Sequence, residues 1–129
     1  MMRAINTAGE EIPGISQAIL VENGRLLILS GHVPFAPEGA TAERGLERQL
    51  VQVFENIAAT LANAGVGFDA VARLTIYIRD YSQDLLPMIR SVRDRYVNSE
   101  LPPASALTGV AALFHPDVLV EIDGFAVVP

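Results

Sequence analysis

An α+β sandwich, with two helices together on one face of a mixed five- to six-stranded sheet, is the fold this sequence predicts. Three observations lead to it. Apolar and polar residues alternate in several short runs, the period of a strand with one buried face. Two longer stretches instead repeat apolar residues at threes and fours, the stripe of a one-faced helix. The order is strand, strand, helix, strand, helix, strand, strand, with no internal repeat, and two helices cannot cover both faces of such a sheet.

From Ser16 to Ser30 the chain reads as a hairpin: Gln17–Val21, a turn at Glu22-Asn23-Gly24, then Arg25–Ser30. Asn-Gly is the turn signal, because both residues tolerate positive φ. Val33 to Thr41 carries two prolines and a glycine and reads as a loop. A helix follows, capped by Thr41 with Glu43 in its first turn. Its stripe is Leu46, Leu50, Val53, Ile57, Leu61 and Ala64, and Gly65 ends it. Between Ala70 and Arg79, Leu74, Ile76 and Ile78 point one way and Arg73, Thr75, Tyr77 and Arg79 the other. A second helix spans about 84–98, with Pro87 in the first turn, where it is tolerated. Leu85, Met88, Ile89, Val92 and Tyr96 form its buried stripe. Pro102 and Pro103 lead into two last strands, 102–113 and 117–128, which the turn-like Phe114-His115-Pro116-Asp117 joins as a second hairpin.

In the last strand, Val118, Val120, Ile122 and Ala126 share one face, and Leu119, Glu121, Asp123 and Phe125 the other. Ionised carboxylates are seldom left dry without a partner, so this second face is expected to meet water, a ligand or another subunit. With Arg73, Thr75 and Tyr77 beside it, the face is too mixed for a core and too aromatic for idle surface. Cyclic self-association is the economical reading.

The chain has 129 residues, half of them apolar and 19% charged, enough for one domain spanning 1–129 with a real core. A formal net charge of -6 would repel a phosphate backbone, and no basic stripe offsets it, so nucleic acid is not an expected partner. All nine basic residues are arginines, and the densest group, Arg90, Arg93 and Arg95, reads as a solvated helix surface. With no cysteine, disulfides and thiolate chemistry are excluded. No apolar run approaches a membrane span and the opening residues lack a leader's apolar segment, so no membrane partner is expected and the cytoplasm is the expected compartment.

Other chemistries find little support. Ser30 and His32 flank Gly31 without a nucleophile elbow. His32 and His115 are too few and too widely spaced for a metal site, and no glycine-rich phosphate loop exists. Glu121 and Asp123 lie about 6.5 to 7 Å apart on one strand face and could form an acid/base pair. The preferred reading leaves Glu121 to the ligand and gives Asp123 a salt bridge to an interface arginine.

Three segments, Gly14-Ile15-Ser16-Gln17-Ala18, Ser30-Gly31-His32-Val33-Pro34 and Pro103-Ala104-Ser105 with Val118 to Glu121 downstream, form a recognisable set. Gln49, Asn56-Ile57, Leu61, Ala64-Gly65 and Val71 to Thr75 fall between them. In order and spacing they resemble the Rid family of reactive-intermediate deaminases, also called YjgF-like proteins, over nearly the whole chain. The resemblance implies a chorismate-mutase-like fold of ferredoxin-like topology, assembled as a homotrimer with a ligand cleft between each pair of neighbours. It also implies hydrolysis of imines and enamines of 2-amino acids without a cofactor.

Carried over by position, Glu121 matches the family glutamate that places the attacking water, and Ser30 and Gly31 match the cleft wall. The arginine that binds the substrate carboxylate falls on Ser105, the cleft tyrosine on Ile15, the glutamine after Ser-Gly on His32 and the cleft cysteine on Leu107. A hydroxyl cannot reproduce the two-pronged, permanently charged grip of a guanidinium. A charge-assisted hydrogen bond contributes about 1.5 to 3 kcal/mol, so a carboxylate held by Ser105 alone would bind roughly ten- to a hundred-fold worse. Arg73 or Arg79 from a neighbouring subunit is the other source of a guanidinium, though a solvated or salt-bridged role is preferred for both. The expectation is therefore a divergent member with an altered small-molecule ligand: a deaminase acting on imines or enamines, or a trimer that binds a small metabolite without chemistry. Ribonuclease activity, known from the family's older naming, ranks last.

Overall fold

The computed structural model describes residues 1–9, 12–38 and 44–129. In chain order the elements are β1 (Met2–Ile5), β2 (Ala18–Val21), β3 (Arg25–His32), α1 (Leu46–Asn63), β4 (Val71–Arg79), α2 (Leu86–Arg93), β5 (Ala104–Val110) and β6 (Val120–Val128). Strands β3, β6, β4 and β5 form a mixed sheet in that order, and β1 and β2 pair as a separate ribbon.

The alternation seen in the sequence sets the two faces. Leu74, Ile76 and Ile78 of β4 and Val120, Ile122 and Ala126 of β6 are all at most 2% exposed. They pack on Leu50, Val53, Phe54, Ile57 and Leu61 of α1 and on Ile89 and Val92 of α2 in one cluster, so both helices lie on one face, as predicted. Phe54 stacks on Tyr96 with ring centroids 4.9 Å apart. Helix α1 ends as its glycine requires: Gly65 takes φ 80, its N–H donates to Ala62, and the Val66 N–H donates to Leu61. That double bond closes the carbonyls a helix end would otherwise leave open.

Several expectations are corrected. The segments 102–113 and 117–128 are not a hairpin: β4 lies between β5 and β6, antiparallel to β6 and parallel to β5. A parallel pair needs a long crossover, which α2 supplies between β4 and β5. Nor do β2 and β3 form a hairpin. A short N-terminal strand that alternation alone did not reveal, β1, pairs with β2, and β3 pairs with β6. Gly24 has positive φ but Asn23 does not, so the turn is not the tight form predicted. The second helix is shorter than 84–98, with a 3₁₀ turn at Gln83–Leu85 before it and turns after Arg93. Arg93 is not on a solvated surface: it is 5% exposed. The expected cap Thr41 and the first-turn Glu43 lie outside the described residues, as does the end of the 33–41 loop.

Candidate functional site

Strands β3 and β6 stay in register from Arg25↔Val128 to Leu29↔Gly124, then resume at His32↔Ile122. Ser30 and Gly31 are thus set against Asp123 alone, a β-bulge that bends the strand and redirects its side chains. The carboxylate of Glu121 lies directly against this bulge: a Cβ added to Gly31 would fall 2.0 Å from Oε2 and 2.7 Å from Cδ. Only glycine leaves that space. Glu121 itself has no hydrogen bond or ion pair among the described residues, so its oxygens are open to a ligand or water.

Helix α1 fixes the bulge from the other side. His32 Nδ1 lies 2.7 Å from the Ser30 carbonyl, and its Nε2 lies 2.8 Å from Thr60 Oγ1. A carbonyl only accepts, so Nδ1 carries the donated proton. One turn earlier, Asn56 Nδ2 donates to the carbonyls of Val33 and Phe35 at 2.9 and 2.8 Å. The chain from residue 30 to 35 is therefore held at both ends by one helix. The His32 and Thr60 parts of this clamp were not legible in the sequence, where His32 was only a departure from a pattern.

Tyr77 is registered with Glu121 and Thr75 with Asp123 across β4 and β6. The Tyr77 hydroxyl donates to Asp123 Oδ2 at 3.2 Å. Burial, then this bond and the charge of Asp123, push the Tyr77 phenol above its ordinary range.

A second group forms elsewhere. Ile12-Pro13-Gly14-Ile15 makes a turn closed by the Ile15 N–H on the Ile12 carbonyl at 3.1 Å, with Gly14 at φ 82. Beneath it, buried Arg93 donates to the Pro13 carbonyl at 3.1 Å and pairs with Asp94 at 2.9 Å. The Ser16 hydroxyl donates to the Pro102 carbonyl and its N–H to that of Pro103, so the turn bearing Ile15 is tied to the start of β5. Ile15 lines a cavity of about 360 Å³ with Ile12, Ser16, Glu100 and Pro102. Ser105 registers with buried Leu74, and Leu107 with Ile76, so both lie on the helix side of the sheet, where Leu107 packs on the core.

The six candidate residues thus fall into two groups, Glu121 with Ser30 and Gly31, and Ser105 with Ile15 and Leu107. Ser105 is two strands from Glu121 and three residue levels away. At about 4.8 Å per strand and about 3.3 Å per residue, their Cα atoms are about 14 Å apart, on opposite faces. One small ligand cannot touch both within one chain. Arg79 is committed elsewhere, donating to the Pro116 carbonyl and lying 3.8 Å from Asp80. Arg73 is exposed on the open face with no hydrogen bond or ion pair among the described residues. A cavity of about 510 Å³ lined by Met1, Val66, Ala70, Leu101 and Val127 holds none of these side chains. Among the described residues no group of three or more His, Asp or Glu could hold a metal, and no helix is long and apolar enough to cross a membrane.

Comparison with known proteins gives one consistent result. The profile of the family described as Endoribonuclease L-PSP matches residues 10–128. Protein DfrA of Myxococcus xanthus is 36% identical over 121 residues, covering 93% of this chain and 89% of that protein. A RutC family protein of Synechocystis is 32% identical over 131 residues, covering 99% and 98%. Among solved structures, a protein of the Rid family from Yersinia pestis superposes with TM-score 0.85 at 29% identity, covering 98% of each chain. RidA from Psychrobacter gives TM-score 0.73 at 29% identity, covering 97% of this chain and 94% of that one.

Proposed function

Because the chain belongs to the Rid (YjgF-like) family, described also as Endoribonuclease L-PSP, we propose that it is a divergent member that binds a small metabolite lacking a carboxylate, in clefts between the subunits of a cytoplasmic homotrimer, and hydrolyses its imine or enamine bond without a cofactor. The observation that carries this reading is the Glu121 carboxylate, without a hydrogen bond or ion pair among the described residues, seated on the Gly31 bulge. The two-group arrangement supports the location, since a neighbouring copy can bring Ser105, Ile15 and Leu107 to the Glu121 group of the next.

In this mechanism Glu121 accepts a proton from water as the oxygen adds to the imine carbon, giving a carbinolamine. It then returns that proton to the nitrogen. Glu121 then takes the hydroxyl proton of the carbinolamine and passes it to the nitrogen as the C–N bond breaks, so that ammonia leaves, the carbon becomes a carbonyl and the carboxylate is regenerated. A carboxylate is suited to this proton exchange because it can hold the water and take its proton in one position. Serine at 105 can hold an uncharged polar group, and Ile15 and Leu107 make that half of the cleft apolar.

Ammonia release from freshly generated 2-iminobutyrate and from neutral imines tests the reading. Neutral imines are expected to turn over faster than the carboxylate-bearing one, and E121Q is expected to lose the rate while keeping its fold. No acceleration over buffer on any of them would remove hydrolysis. The second reading, binding without chemistry, is favoured by the same replacements at Ile15, Ser105 and Leu107. A thermal-shift screen with uncharged metabolites tests it, and a melting temperature that never rises would count against it. RNA cleavage stays the last choice, given the net charge of -6.

A further inference from the structure

The face of the sheet away from the helices carries three cross-strand pairs, Arg73↔Phe125, Thr75↔Asp123 and Tyr77↔Glu121, with Ile28 of β3 beside Phe125. Ile28 is 68% exposed and Phe125 39%. Burying such groups is favourable, and their position beside unpaired charges marks a surface that meets protein rather than bulk water. Arg73 stands in the strand with no partner among the described residues, although Asp123 lies one pair further along the neighbouring strand. Tyr77 fixes Asp123 by one oxygen and leaves Oδ1 open to accept. Opposite charges on one face, offset by one pair or about 6.8 Å along the strand, are self-complementary when copies meet head to tail.

We propose that this face docks on a second copy of the same chain, with Arg73 of one copy paired to the Tyr77-held Asp123 of the next, so that Arg73 serves assembly rather than the ligand. The assignment rests on the intersubunit reading above and adds the residues that set it. It also explains why Asp123, although on the same strand face as Glu121, is not a second acid. Its carboxylate is turned toward Tyr77 and the interface, while Glu121 is left to the bulge.

The test is the concentration at which the wild type, R73D, D123R, the double variant R73D/D123R and an equimolar mixture of the two single variants half-dissociate, read by sedimentation and native mass spectrometry. Like charges brought together across an interface should raise that concentration by about ten-fold or more in each single variant. The double variant should return to within a few-fold of the wild type. In a three-fold ring the mixture restores two of every three interfaces, so it should assemble more tightly than either variant alone. Circular dichroism checks the fold, and R73M with D123N repeats the experiment should a reversed charge unfold the chain. Single variants that assemble like the wild type, or a mixture no better than its components, would overturn the pairing while leaving the trimer standing. A wild type that is monomeric at every concentration would overturn both.

Discussion

The two faces of the four-stranded sheet are made by the same strands and behave in opposite ways. On the covered face most large side chains are apolar and nearly inaccessible, Leu27 and Leu107 being partly buried at its margin, and the buried polar groups there are satisfied. On the open face, Arg73 and Glu121 carry charge without a partner among the described residues, and Ile28 and Phe125 lie exposed. The first face is packed within one chain; the second leaves charge and apolar area exposed. Burial therefore locates the fold's stability, and the unpartnered groups mark the surface on which the proposed function rests.

Paired truncations test this difference where it is largest. Phe54→Ala, which empties the space against Tyr96 and Phe68, should cost about 3 to 5 kcal/mol in chemical denaturation. Ile28→Ser should change the stability of the single chain by under about 0.5 kcal/mol, as expected for an exposed site, and act on assembly instead. Equal losses for the two would mean that the open face is already packed within one chain.

A smaller effect is expected at the edge of the covered face. Buried Gln49 of α1 donates to the Asp117 carbonyl at 2.8 Å and accepts the Leu119 N–H at 2.7 Å, holding the start of β6 beside Glu121. Gln49→Leu leaves both backbone groups unpaired and should cost about 1 to 3 kcal/mol. Hydrogen exchange at Leu119 should speed up as well. Unchanged exchange there would show that β6 does not depend on this bridge.

The covered face was legible in the sequence because its information is local. The spacing of Leu46, Leu50, Val53, Ile57 and Leu61 named the α1 stripe, and alternation sorted β4 and β6 residue by residue. Pairing was less legible, because the neighbour of a strand is chosen by distant segments. Asn23-Gly24 predicted a hairpin, yet β2 went to β1; Phe114 to Asp117 reversed the chain, yet β6 returned on the far side of β4 from β5. The site shows the same division. Glu121, Ser30 and Gly31 could be singled out, but that the Glu121 carboxylate rests on Gly31 depends on a ladder shift between Leu29 and His32, which exists only once β3 and β6 are paired. Arg93 read as surface because its partners, Pro13 and the turn around Gly14, lie eighty residues away.

The finest distinction between the faces is electrostatic, and each face holds a tyrosine that reports it. Tyr96, on the covered side, is pushed up to about 12, by burial first and then by Glu55. Tyr77, on the open side, is raised by burial and then by Asp123. Both phenols bind their protons more tightly in the folded chain than at the ordinary value of 10.0. Folding therefore retains protons that the unfolded chain releases, and the contribution of these two tyrosines to stability should be constant below about pH 10 and be lost from there through about pH 12. Tyr96→Phe should flatten that alkaline limb. Asp123→Asn should bring Tyr77 back toward its ordinary value in an ultraviolet titration while leaving Tyr96 in place. Were Asp123→Asn to move both tyrosines together, the two faces would be electrically coupled through the sheet, and the separation between a self-sufficient face and a waiting one would not hold.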